Sequence, residues 1–313
     1  MTQLPSALRL SYLRGELDKH EFARQIGEHH RALRDTAGLL DGSDIAAIEL
    51  TPGVVTFVSR FGHARFPCDP VDRGLPPVVA LNFGAYERKD FSMLLKLVPA
   101  GGTFVDIGAN IGWYSIHVAI ADPGATVIAV EPIPSSFRWM LAAIAANSLT
   151  NVTPLNFAVG AETGTITLFV DATISGAASA APSTGETGLE PISCPVKTID
   201  DIVYSHKGTV QVLKLDIEGG ELLALRGASR VLSEQRPIVF CEMLRKLARP
   251  FGYHPNDIIA LMGGHGYECY RAEGDRLIRF ESMDEETVET NFYFLHAESH
   301  AMQRNRFESA SAG

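Results

Sequence analysis

Apolar positions change their spacing twice along the chain. Up to residue 41 they recur with helical period, at Leu10, Leu13, Leu17, Phe22, Ile26 and Leu33, which predicts two short helices. From 45 to 66, IAAIELTPGVVTFVSRFGHARF takes on strand character, with Thr51-Pro52-Gly53 as a hairpin turn. DPVDRGLPP (69–77) reads as a loop, and 86–102 as a helix closed by Pro99 and the Gly101-Gly102 pair. From there strands alternate with helices. TFVDI (103–107), TVIAVEP (126–132), VTPLNFAV (152–159), VQVLKLDI (210–217) and PIVFCEM (237–243) are near-continuous apolar runs, and all but the third lead into a helical stretch. Such runs predict parallel strands covered on both faces. Right-handed crossovers then give a doubly wound, Rossmann-like α/β fold. YECYR, RLIRF and NFYFLH (291–296) are expected to complete the sheet.

One interval is too long for this rhythm. Asp106 to Glu131 and Asp216 to Glu242 each fit one strand–helix unit, whereas Ala158 to Asp216 is about twice as long. The excess holds GTITLFV (164–170), the small-residue stretch DATISGAASAAPSTGETGLEP (171–191) and CPVKTIDDIV. Residues 171–191 are too poor in large apolar side chains to pack a core, and read either as a disordered surface loop or as a lid over substrate.

Composition narrows the class. With 313 residues, 46% hydrophobic and 20% charged, the chain is expected to fold as one large α/β domain with extensions or as two domains. The division expected is 1–85 for the helices and hairpin, 86–300 for the α/β domain, and 301–313 for a frayed tail. No apolar run reaches the roughly 18–20 residues of a membrane span, and the polar, helical N-terminus lacks a signal core, so a cytoplasmic location is expected. Cys68, Cys194, Cys241 and Cys269 lack paired metal spacing and read as buried thiols. A net charge of −10 without a basic run argues against nucleic acid and for a small-molecule partner. Association into a homo-oligomer is compatible with the sequence.

Four acids end four strands: Asp106, Glu131, Asp216 and Glu242. Carboxylates facing one crevice repel, so a ligand with hydroxyls or positive charge is expected at the carboxyl edge of the sheet. In FVDIGANIGWYS (104–115), Gly108 and Gly112 permit a tight turn. Asp106, just before them, suits an ammonium and disfavours the pyrophosphate of a nicotinamide cofactor at the next helix N-terminus. S-adenosylmethionine (SAM) has an ammonium and a sulfonium and lacks phosphate, and Glu131 would hold its ribose hydroxyls. In LKLDIEGGE (213–221), Lys214 and Asp216 share one strand face, and Glu218 and Glu221 open the following turn and helix.

At these residues the sequence resembles the FkbM-type SAM-dependent methyltransferases. The resemblance runs from about Tyr86 to Met243 and is carried by YE, VDIGANIGWYS, VIAVEPIPSSF, NFAVG, VKTIDD, LKLDIEGGELLALRGA and PIVFCEM. It implies a class I methyltransferase fold with a seven-stranded, mostly parallel sheet, behind an N-terminal helical and β-hairpin extension. Asp106, Gly108, Asn110 and Gly112 match the loop under the methionine moiety of SAM. Glu131 matches the ribose-binding acid, with Pro132 shaping its turn, and Phe157 and Ala158 match positions lining the adenine. Tyr86 and Glu87 match the entry helix, in contact with cofactor or acceptor. Lys214, Asp216 and Glu218 would surround the transfer point. Asp216, Glu218 and Glu242 are the candidates for general base, with His254 as an outsider.

The expected activity is methyl transfer from SAM to a hydroxyl of a small molecule such as a sugar, glycoconjugate or natural product. A divalent cation such as Mg2+ could lower the acceptor's pKa, but no metal-ligand spacing demands one. The alternatives are a nicotinamide-dependent Rossmann oxidoreductase and a non-catalytic SAM-binding protein. The Asp106 carboxylate and the missing third glycine speak against the first, and the intact acids against the second.

Overall fold

The computed structural model describes residues 4–171, 189–206 and 208–308. Helix α1 (Pro5–Leu13) and the 20-residue α2 (Lys19–Gly38) come first, α2 opened by the Asp18 carboxylate, which accepts from the backbone N–H groups of His20 and Glu21. Strands β1 (Ile45–Thr51), β2 (Val54–Ser59) and β3 (Arg65–Cys68) form a separate antiparallel sheet, one strand more than the expected hairpin. The segment read as a loop ends in a helix, α3 (Pro76–Phe83). Its two leading prolines occupy first-turn positions, where a missing N–H costs nothing. Helix α4 is Arg88–Leu97.

The α/β core follows in the expected rhythm: β4 (Thr103–Ile107), α5 (Trp113–Ala121), β5 (Thr126–Val130), α6 (Pro134–Ala146) and β6 (Val152–Leu155). The third predicted strand is two. The chain breaks at Asn156, whose amide donates to the carbonyls of Glu131 and Pro132, and resumes as β7 (Ala158–Val159). β7 belongs to a second small sheet with β8 (Gly164–Asp171) and β9 (Leu189–Lys197), in the order β7-β9-β8. The long interval therefore contains a flap of sheet. Most of the stretch read as a loop or lid lies outside the described residues.

After α7 (Ile199–Ser205) come β10 (Val212–Leu215), α8 (Glu221–Arg226), α9 (Ser229–Glu234), β11 (Ile238–Glu242), α10 (Arg245–Ala248), a 3-10 turn (Arg249–Phe251) and α11 (Pro255–Gly264). Strands β12 (Tyr267–Glu273), β13 (Arg276–Arg279) and β14 (Asn291–His296) precede α12 (Ala301–Phe307). Residues 301–307, read as the start of a frayed tail, thus form a helix that buries Phe307.

The central sheet has the order β13-β12-β14-β11-β10-β4-β5-β6, eight strands and not seven. β13, the RLIRF run, pairs antiparallel with β12 through the turn at Gly274. β11, β10, β4, β5 and β6 are mutually parallel, and β14 joins β11 antiparallel. The topological switch point lies between β4 and β10, where a parallel sheet opens a crevice at its carboxyl edge. On one side of the sheet the core is continuous from Phe57 and Phe66 of the N-terminal sheet through Phe91 and Trp113 to Phe240 and Tyr293. On the other, α7, α8, α9 and α11 cover Val105, Leu213, Leu215 and Val239. All four cysteines are buried and unpaired. Among the described residues, no helix is long and apolar enough to cross a membrane.

Candidate active site

Two loops meet at the switch point. After β4 the chain turns through Gly108, Asn110 and Gly112, all with positive φ (79°, 51° and 86°). The amides of Gly108 and Ala109 both donate to the carbonyl of Val130, at 2.9 Å each, which binds this turn to the end of β5. A Cβ on Gly108 would overlap the Asp216 carbonyl, so this glycine is required by the approach of the second loop. After β10 the second loop runs Asp216-Ile217-Glu218-Gly219, with Glu218 also left-handed at φ 56°. Glu87 (φ 45°), Asn110 and Glu218 are three of the six non-glycine residues with positive φ among those described. Such conformations persist only where surrounding contacts over-determine them.

Between the loops and the flap lies a cavity of about 350 Å³, within the range of small-molecule sites. Gly108, Asn110, Glu131, Pro132, Phe157 and Ala158 line it, together with Tyr86, Asp216, Glu218 and Glu242. The flap adds Ile166, Leu168 and Val196, and the 3-10 turn adds Phe251. Sequence reasoning missed these four because β8, β9 and the 3-10 turn stand outside the strand–helix rhythm of the central sheet, and the place of the flap depends on the break at Asn156.

Glu131 is buried, with one carboxylate oxygen accepting from the Asn110 amide and the other from the Ile133 amide, both at 2.8 Å. Burial pushes its pKa up to about 7 against these two bonds. Asn110 keeps a buried side-chain oxygen without a partner. A buried unpaired acceptor in a cavity wall is costly unless a ligand donor reaches it.

Asp106 differs from expectation. It is fully buried and does not line the cavity. The ammonium beside it belongs to the chain itself: Lys214 Nζ lies 3.4 Å from Asp106 and 3.2 Å from Asp216, and the Ser115 hydroxyl donates to Asp106 at 2.6 Å. Asp106 and Lys214 are directly opposed on β4 and β10, so their meeting follows from the register of two parallel strands. Spacing within either segment cannot reveal it. Burial alone would discharge Lys214, but Asp216 and Asp106 outweigh it and hold the ammonium charged. Its Nζ also sits 5.0 Å from the centre of the Tyr114 ring.

Glu87 also stands behind the wall. Tyr114 Oη and the Asn291 amide donate to its two oxygens at 2.6 and 2.8 Å. Burial and the nearby Asp216 raise its pKa. Glu218 is pushed up to about 8 by burial and then by Asp216 and Glu221. Glu242 is held well above the carboxylate range by burial, with Asp216 and Glu218 adding to it. His254 is placed elsewhere, as the N-cap of α11, where its Nδ1 accepts from the Asn256 amide and the Asp257 carboxylate accepts from its own amide. Gly112, the N-cap of α5, turns the chain without lining the cavity. Among the described residues, no group of three or more His, Cys, Asp or Glu is arranged to hold a metal ion.

A sequence model of the Methyltransferase FkbM domain matches residues 106–269, just over half of the chain. The chain belongs to the FkbM methyltransferase family. It is therefore a SAM-dependent methyltransferase. Methyltransferase sdnD of Sordaria araneosa is 25% identical over 203 residues, 56% of this chain and 76% of that protein. The ribosomal RNA small subunit methyltransferase G of Salinispora tropica is 28% identical over 134 residues, 43% of this chain and 48% of that protein. Among solved structures, the FkbM methyltransferase of Methylobacillus flagellatus KT is similar at 21% identity, with a TM-score of 0.42 over 63% of this chain and 44% of that one. The chain thus spans less than half the length of the last two.

Proposed function

We propose that this FkbM methyltransferase transfers the methyl group of SAM to a hydroxyl of a small, uncharged molecule such as a sugar, glycoconjugate or natural product. The observation that carries this reading is the acidic part of the cavity lining, Asp216, Glu218 and Glu242, with no Lys or Arg among the described lining residues. Anionic acceptors would be repelled there, whereas hydroxyls find acceptors for their protons.

Other lining residues fit the cofactor. The unpartnered Asn110 oxygen offers an acceptor for an ammonium or hydroxyl, Glu131 offers its carboxylate to ribose hydroxyls, and Phe157 and Ala158 provide an apolar wall. When bound, SAM supplies an electrophilic methyl on a sulfonium and leaves as a neutral thioether. Within this chain, Glu218 is assigned the role of base. In its ionised form it takes the hydroxyl proton while the oxygen–carbon bond forms and the carbon–sulfur bond breaks. A pKa of about 8 lets it accept that proton readily near neutral pH. Lys214, locked between Asp106 and Asp216, balances the charge beneath the base and fixes Asp216. A divalent cation is not required by this assignment.

Calorimetry with S-adenosylhomocysteine and radiolabelled methyl transfer across acceptor pools test the reading. Glu131→Ala is expected to weaken S-adenosylhomocysteine roughly 10- to 100-fold. Glu218→Gln is expected to leave that affinity intact and to lower transfer by roughly 100-fold or more. Unimpaired transfer in Glu218→Gln would remove it as the base, and labelling of amines in place of hydroxyls would overturn the acceptor class.

A further inference from the structure

Glu218 points into the cavity from a left-handed backbone, and something must hold it there. Its loop is tied down by two residues that do not line the cavity, Glu221 and Tyr253. One carboxyl oxygen of Glu221 (Oε1) accepts from the amides of Ile217 and Gly219, at 2.9 and 3.2 Å, the residues on either side of Glu218. The Tyr253 hydroxyl lies 2.9 Å from the Gly219 carbonyl and 3.2 Å from the other Glu221 oxygen (Oε2). A Cβ on Gly219 would overlap the Leu247 carbonyl, so the loop is also closed from behind.

The hydrogen count is decisive. A phenol has one hydrogen to donate, and here it faces two acceptors if Glu221 is ionised. If Glu221 carries a proton on Oε2, every group is used. The acid donates to the Tyr253 oxygen, Tyr253 donates to the Gly219 carbonyl, and Oε1 keeps both backbone amides. Glu221 is only 2% exposed. The titratable groups facing it are Asp216 and Glu218 from its own loop, Cys241 and Glu242 from the end of β11, and Tyr253 ahead of α11. Burial and then the charge of Asp216 raise its pKa against its backbone bonds.

We infer that Glu221 is a neutral carboxylic acid in the working enzyme and that, with Tyr253, it is a positioning residue that fixes Glu218 toward the acceptor. The role assigned to the pair rests on the reading of Glu218 as base; the protonation of Glu221 does not. The acid is a relay that holds a backbone shape and takes no part in the proton transfer to Glu218.

The test compares Glu221→Gln, Glu221→Ala and Tyr253→Phe by infrared spectroscopy, thermal unfolding and S-adenosylhomocysteine binding. A glutamine amide reproduces the neutral pattern, since its oxygen can accept from both amides and its NH2 can donate to Tyr253. At pH 7 the parent is expected to show a carboxylic-acid C=O band that shifts in heavy water, and Glu221→Gln is expected to remove part of it. Glu221→Gln should melt close to the parent and bind S-adenosylhomocysteine within about threefold of it, while Glu221→Ala melts well below both. In Tyr253→Phe the Glu218 titration, near pH 8 in the parent, should move toward the ordinary carboxylate range. An unchanged infrared band in Glu221→Gln, or a Glu221→Gln melting point as low as that of Glu221→Ala, would overturn the inference. Unchanged methyl transfer in Glu218→Gln would separately remove the base role, with the infrared band still reporting on Glu221.

Discussion

Glu131 holds two backbone amides before any ligand arrives, and burial nonetheless raises its pKa to about 7. In the proposed ribose-binding role its ionised form is the stronger acceptor, so cofactor binding and deprotonation of this group are expected to be linked. The affinity for S-adenosylhomocysteine is expected to be level above pH 7 and to fall by about tenfold per unit below it, a dependence that calorimetry in Glu131→Gln should flatten. Gly108 shows a different constraint. Its positive φ and the carbonyl of Asp216 against its α-carbon leave no room for a methyl, and Gly108→Ala is expected to cost about 3 kcal/mol in chemical denaturation. The sequence marked Gly108 and Asp106 as ligand contacts. Gly108 lines the cavity and is also required by the approach of the second loop, whereas Asp106 is buried against a lysine on the neighbouring strand. In each case the decisive neighbour is more than a hundred residues away in sequence, and no local pattern encodes it.

At the scale of elements, strands buried on both faces were easy to read, because β4, β5, β10 and β11 are apolar at all but one or two positions each. The flap and α3 were not. β8 and β9 keep one face open and so carry a weaker signal, and Pro76-Pro77 looks like a loop until it is placed at a helix start. The joint between α5 and the N-terminal sheet was also invisible in sequence. His117 of α5 bonds the Trp113 carbonyl through Nδ1 at 2.7 Å, which places its proton there, and the Ser59 hydroxyl at the end of β2 donates to Nε2 at 2.9 Å. Phe61, Phe66, Phe91 and Trp113 surround the ring. Burial lowers its pKa to about 4. Because the folded value is depressed, the contribution of neutral His117 is complete above the ordinary histidine pKa and is lost as pH falls toward 4. Trp113 fluorescence, followed in a Trp139→Phe background, is expected to change with a midpoint close to pH 4, and His117→Phe should abolish that step.

Over the whole molecule the buried carboxyls act in the opposite sense. Glu131, Glu218, Glu221 and Glu242 all have raised pKa values. Groups shifted in this direction stabilise the fold fully only below their unfolded pKa, and that contribution is lost as pH rises through the folded values. With His117 and His300, both lowered to about 4, opposing from the acid side, the ligand-free protein is expected to melt highest between about pH 5 and 6. Scanning calorimetry across pH should show the melting temperature falling toward pH 8, and S-adenosylhomocysteine should recover more of it at pH 8 than at pH 5.

The aromatic box around His117 has a consequence for how this protein could have diversified. The first 85 residues do not form a detachable accessory, because Phe57 and Phe66 share one core with Trp113 and Phe240. A recombination breakpoint at residue 85 would leave Trp113 and His117 facing water beside the Gly108–Gly112 loop. The flap and the 3-10 turn, by contrast, reach the cavity with side chains that lie outside this core, so substitutions at Ile166, Leu168, Val196 and Phe251 are expected to leave it intact.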